Sequence, residues 1–197
     1  MATAEGALGV EPFDAVGRPD KAQASEYASA ELTESGRPTV EICTADDMRQ
    51  LGERLAAQLR AGDLVLLRGA LGAGKTTLAQ GIGEGLGVRG PITSPTFVLA
   101  RVHPPLSGGP PLAHVDAYRL ADWDDLETLD LEATLDEAVT IVEWGEGLVE
   151  GLADDRLEVR IEREPAAPAD GDDDTRIVTI TAVGERWRGF DAAAWLA

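Results

Sequence analysis

The chain has 197 residues, 44% of them hydrophobic and 27% charged, which is enough apolar material for one α/β domain with a real core. Its 36 acidic residues outweigh 17 basic ones to a net charge of −19, so bulk attraction to a nucleic-acid backbone is excluded. One cysteine (Cys43) and two histidines (His103, His114) exclude an intrachain disulfide and a Cys/His zinc cluster; no stretch has the pattern of a leader or a membrane span, and the expectation is a soluble protein of the reducing cytoplasm.

Residues 1–37 mix Ala, Glu, Ser, Gly and Pro without a sustained period and read as a disordered tail. Residues 38–197 read as one domain. Thr39–Ile42 is a short alternating strand, and Thr44 then opens a helix, with Asp47 in a capping-box position. Met48, Leu51, Leu55 and Leu59 place one apolar face on that helix. Leu64–Leu67 is a continuous apolar run, the pattern of a strand buried on both faces of a mainly parallel sheet. After a Gly-rich turn comes a helix with Leu78, Ile82 and Leu86, weak by propensity because of Gly81, Gly83 and Gly85, so packing must hold it. Strands are expected near Phe97–Val102, at Leu112–Asp116 and at Val139–Val142, the last ending in Glu143, with a helix over 122–137. The last fifty residues alternate at Arg156–Arg163 and Thr175–Val183, which predicts an antiparallel hairpin with a long tip. A short helix carrying Trp187 and Trp195 follows.

Gly69-Ala70-Leu71-Gly72-Ala73-Gly74-Lys75-Thr76 fits the P-loop pattern G-x-x-x-x-G-K-[ST], and Thr77 continues it. Glycines let backbone N–H groups turn inward around an anion, and the helix that starts here aims its partial positive charge at the same place. Lys75 then serves the β and γ phosphates, and the Thr76 hydroxyl serves Mg²⁺. A buried strand entering the loop and a helix leaving it supply the required context. The fold expected is a P-loop NTPase-like α/β domain, with a mainly parallel sheet flanked by helices and a C-terminal antiparallel hairpin.

A second carboxylate is needed near the metal. Glu143 directly follows an apolar strand and emerges where ligands bind such sheets; Asp116 is a further candidate. Period-2 geometry puts His114, Asp116 and Tyr118 on one face if that strand stays extended, and Arg119 could meet a phosphate or an acid. Leu106-Ser107-Gly108-Gly109 imitates the signature of ABC ATPases, but flanking prolines make it a loop. With no asparagine and Lys21 the one lysine besides Lys75, the guanine-reading N-K-x-D is impossible and adenine is the expected base, with Thr44 a guess for its contact.

Taken in order, these segments resemble the TsaE family, the small ATPases of bacterial tRNA threonylcarbamoyladenosine biosynthesis. The resemblance runs from about Val40 to Ile161. It rests on Leu51-Gly52-Glu53-Arg54, the P-loop through Thr77, Ser94-Pro95-Thr96, His114-Val115-Asp116-Ala117-Tyr118-Arg119-Leu120 and Val142-Glu143-Trp144. Ala70 stands where aspartate is common in the family. The resemblance implies ATP and Mg²⁺ as ligands. It implies Thr76 and Glu143 on the metal, Asp116 near the γ-phosphate, Ser94–Thr96 in a nucleotide-proximal segment and Trp144 lining the nucleotide site. It further implies a TsaB–TsaD complex as partner, with tRNA met only indirectly. Two alternatives stay open: a small-molecule or nucleoside kinase, though 145–155 holds no arginine for a lid, and a regulator that binds ATP without hydrolysing it.

Overall fold

The computed structural model describes residues 38–95, 99–119, 134–147, 152–163 and 175–196. The tail expected at 1–37, Thr96, Leu120, most of the helix expected at 122–137 and the hairpin tip at 164–174 lie outside the described residues. The strands are β1 (Thr39–Ile42), β2 (Leu64–Arg68), β3 (Ala100–His103), β4 (Leu112–Asp116), β5 (Val139–Glu143), β6 (Arg156–Arg163) and β7 (Arg176–Val183). The helices are α1 (Ala45–Ala56), α2 (Lys75–Leu86) and α3 (Ala192–Leu196).

One sheet joins the strands in the order β1-β7-β6-β2-β5-β4-β3. Its centre, β6-β2-β5-β4, is parallel, while β3, β7 and β1 add antiparallel edges. The apolar run of β2 behaves as its pattern predicts. Val65 and Leu67 enter the larger core with α1 and α2, and Leu64 and Leu66 enter a second core with Val115, Ala117 and Val142 on the other face. The predicted hairpin is β6–β7, and β6 also extends the sheet by pairing in parallel with β2.

Helix α1 starts at the expected cap. The Thr44 hydroxyl accepts from the Asp47 N–H, and the Asp47 carboxylate accepts from the Thr44 N–H, both at 3.1 Å. The glycines that weaken α2 by propensity are explained by its neighbour. A Cβ on Gly81 would stand 2.1 Å from the Arg49 carbonyl oxygen, and one on Gly52 2.5 Å from the Leu78 carbonyl oxygen. Backbone meets backbone there, and Met48, Leu51, Leu55, Leu78 and Ile82 close into one buried cluster around the contact.

Two boundaries differ from expectation. The strand expected from Phe97 begins at Ala100, because Leu99 takes a left-handed φ of 69°, although its carbonyl still accepts from the Asp116 N–H at 2.8 Å in register with the β3–β4 pair; Phe97 and Val98 are outside the described residues. The C-terminal helix is two pieces, a 3₁₀ turn at Glu185–Trp187 and α3. Gly189 (φ 91°) separates them, and Phe190 packs its ring against both Trp187 and Trp195. The segment Leu106–Gly109 is a loop, as its prolines require. Among the described residues no helix is long and apolar enough to cross a membrane.

Candidate nucleotide site

Strand β2 delivers Gly69 to the edge of the sheet with φ 146°, and a Cβ there would lie 2.4 Å from the Ile161 carbonyl oxygen of β6. Only glycine fits that turn. At the other end Gly74 (φ 115°) caps α2 without a side-chain hydrogen bond, so the first N–H groups of the helix carry no side-chain cap. That is the backbone arrangement of an anion cradle. Ala73 is buried, Gly72 is exposed, and Thr77 is half-buried in the first turn of α2.

Lys75 is 5% exposed. Its Nζ donates to the carbonyls of Gly69 (2.7 Å) and Ala70 (3.1 Å) and lies 3.8 Å from the centroid of the Trp144 ring. Burial pulls its pKa below the ordinary 10.5, and the charges of Glu143, Glu146 and Asp116 oppose that pull. Trp144 reaches this position from a left-handed φ of 61°, immediately after the last residue of β5. A bulky residue in that region is strained, and strain of this kind concentrates at ligand sites.

The two carboxylates are neighbours because β4 and β5 are in register, Asp116 opposite Glu143. Glu143 is buried, and its Oε1 accepts from the Thr76 hydroxyl at 3.0 Å and lies 2.9 Å from His114 Nε2. Asp116 Oδ2 accepts from the Ser94 hydroxyl at 3.2 Å, and Oδ1 accepts from the Tyr118 N–H at 3.0 Å. The expected face of three residues holds for His114 and Asp116. It fails for Tyr118, because the chain leaves the strand into a 3₁₀ turn at Ala117–Arg119. Tyr118 is instead exposed, its ring edge-to-face with Trp144 at 5.5 Å. The Arg119 side chain is outside the described residues. The Thr44 hydroxyl is engaged in its helix cap, donating to Asp47 at 2.6 Å as well as accepting from it.

Sequence reasoning missed two arginines. Arg163 Nη2 donates to the Gly72 carbonyl at 3.2 Å, and Arg176 Nε donates to the Ala73 carbonyl at 3.1 Å. The two are register partners across β6 and β7. Hairpin alternation alone pairs them; that the pair reaches the P-loop follows from β6 lying parallel to β2, with Arg160 opposite Arg68.

The donor set fits an ATP–Mg²⁺ pair. A hydroxyl and a buried carboxylate stand together at the N-terminus of α2, beside a turn whose Gly69, Gly72 and Gly74 all take positive φ. Among the described residues no group of three His, Cys, Asp or Glu side chains could hold a metal by itself, and Mg²⁺ at such sites takes its remaining ligands from phosphates and water.

Comparison with known proteins places the chain. Residues 42–170 match the family model "Threonylcarbamoyl adenosine biosynthesis protein TsaE". The tRNA threonylcarbamoyladenosine biosynthesis protein TsaE of Streptomyces coelicolor is 61% identical over 147 residues, covering 74% of this chain and 97% of its own. The TsaE proteins of Mycobacterium tuberculosis and Bacillus subtilis are 50% and 37% identical, over 77% and 72% of this chain and 90% and 84% of theirs. The crystal structure of Bacillus subtilis YdiB superposes with a TM-score of 0.59 at 30% identity, covering 77% of this chain and 89% of that one. With the P-loop, the paired carboxylates and Trp144 assembled at one edge of the sheet, the chain belongs to the TsaE family.

Proposed function

We propose that this protein is a Mg²⁺-dependent ATPase of the cytoplasm, acting on a TsaB–TsaD complex to support threonylcarbamoylation of adenosine 37 in tRNA. The observation that carries the ATPase reading is the hydrogen bond from Thr76, the residue after the P-loop lysine, to the buried carboxylate of Glu143, with Asp116 in register beside it. The tRNA step rests on family membership. The net charge of −19 suits a protein that acts on a protein complex and meets tRNA indirectly.

In this reading the backbone N–H groups of Gly72 to Thr77 cradle the phosphates, and Lys75 neutralises charge on the β and γ groups. Thr76 and Glu143 would hold Mg²⁺, which would supply charge stabilisation to the phosphate oxygens. Asp116 orients the attacking water, and Trp144 lines the site over Lys75. Phosphoryl transfer needs little beyond such positioning and charge stabilisation.

The test is ATP hydrolysis by the purified protein with Mg²⁺, alone and with TsaB–TsaD from the same organism, and no small-molecule acceptor. Turnover that rises with the partners and disappears in Lys75→Ala is the expected result. Asp116→Ala is expected to lose rate by about 10²-fold or more while nucleotide affinity changes little. Tight ATP binding without hydrolysis in either mixture would instead identify the regulator, or a kinase lacking its acceptor.

A further inference from the structure

We propose that His114 is the positioning residue of Glu143, and that it selects which carboxylate oxygen serves the metal. The inference rests on the reading of this site as an ATP–Mg²⁺ site. His114 lies in β4 with no solvent exposure, flanked by buried Ala113 and Val115. It shares a face with Asp116 and sits opposite Ile141, one step deeper in the sheet than the Asp116–Glu143 pair.

Its hydrogen bonding is lopsided. Nε2 is 2.9 Å from Glu143 Oε1, whereas Nδ1 has no partner among the described residues. A neutral imidazole carries one donor and one acceptor nitrogen, and a carboxylate oxygen only accepts. Nε2 therefore carries a proton and donates to Glu143, and Nδ1 is a buried ring nitrogen without a partner among the described residues. A buried polar atom left unmatched is costly, and an apolar side chain at 114 would remove that cost. The bond to Glu143 is what a histidine brings to this position.

Oε1 thus receives two donors, the Thr76 hydroxyl at 3.0 Å and His114. Among the described residues Oε2 receives none of the hydrogen bonds found. With Oε1 engaged on both sides, Oε2 is the oxygen left for a cation or for a water bound to it. Hydrogen-bonded support of this kind around metal-binding carboxylates governs metal affinity by about 10- to 100-fold.

The experiment compares the affinity of a fluorescent, non-hydrolysable ATP analogue with and without Mg²⁺ for wild type, His114→Leu and His114→Gln. Thermal melts of each protein confirm folding. Glutamine can present an N–H near the Nε2 position; leucine cannot. His114→Leu is expected to lose about 10-fold or more of the Mg²⁺-dependent gain in affinity while Mg²⁺-free affinity stays within about twofold, and His114→Gln to retain most of the gain. The proposal is overturned if His114→Leu keeps the gain, or if both variants lose it equally, since then ring shape and not the donor matters. Should His114→Leu not fold, His114→Met takes its place with the same two outcomes. A wild type that binds no nucleotide, or binds it without regard to Mg²⁺, overturns the ATP–Mg²⁺ reading itself.

Discussion

Replacing Gly81 by alanine sets two effects of opposite sign against each other. By helix propensity the change stabilises α2 by about 1 kcal/mol, because glycine in a helix interior is the poorer residue. Packing opposes it. The new Cβ would lie 2.1 Å from the Arg49 carbonyl oxygen, 2.8 Å from its carbonyl carbon and 2.9 Å from its Cα, where ordinary contact begins at 3.4 Å. All three atoms are backbone, so no rotamer change relieves the clash and α1 must move away by more than an ångström. That movement loosens Met48, Leu51 and Leu55 against Leu78 and Ile82. Overpacking costs about 1–3 kcal/mol, and a backbone clash this short belongs at the upper end. The net expectation is a loss of about 2 kcal/mol, a fall in Tm of about 4–8 °C for a domain of this size. Thermal and urea unfolding followed by circular dichroism would measure it. Gly108→Ala is the control, because a Cβ there meets nothing within 4 Å. A Gly81→Ala protein as stable as wild type, or more so, would show that the helices are not in the contact described.

Asp63 is 4% exposed and accepts from Arg186 Nε (3.0 Å) and Nη2 (2.9 Å) as well as from the Arg60 N–H (2.9 Å). Asp63→Ala is expected to cost about 2–3 kcal/mol, less than a fully buried pair because Arg186 keeps some contact with water; a double-mutant cycle with Arg186→Ala measures the coupling. His103 is buried, and burial, aided by His114 and Arg101 against the Arg89 carbonyl, holds its pKa below 6.5. The unfolded chain therefore takes up the proton first, so stability is lost as pH falls from about 6.5 toward the lowered folded value. His103→Gln should flatten the fall of Tm between pH 7 and 5 relative to wild type, and an unchanged slope would contradict the assignment. Lys75, buried with a lowered pKa, predicts that nucleotide affinity begins to fall at a pH below the ordinary lysine range as the ammonium deprotonates, a fall absent from Lys75→Arg.

Much of this architecture is legible locally. Leu64–Leu67 reads as a doubly buried strand because every residue is apolar, and both faces are indeed covered. Thr44 and Asp47 announce a helix start, since both partners of the cap lie within one turn. The P-loop is legible for the same reason: its glycines, lysine and threonine are contiguous, and their chemistry requires only each other. The start of β3 is not legible. Leu99 ends the expected strand with its left-handed φ of 69°, although its carbonyl still accepts from the Asp116 N–H in register with the β3–β4 pair, and nothing in Phe97–Val102 signals that turn.

The candidate site divides along the same line. Composition and local pattern determined that the chain folds as an α/β domain, that its Gly69–Thr76 turn has the P-loop pattern, and that acids end two apolar strands. The tertiary structure decided which groups touch: Thr76 on Glu143, His114 beneath it, Trp144 over Lys75, and Arg163 with Arg176 against the loop carbonyls. These contacts follow from strand order and register, β4 against β5 and β6 against β2. Strand order is set by how apolar faces and backbone hydrogen bonds are satisfied across the whole sheet, and residues far apart in the chain enter that balance on equal terms.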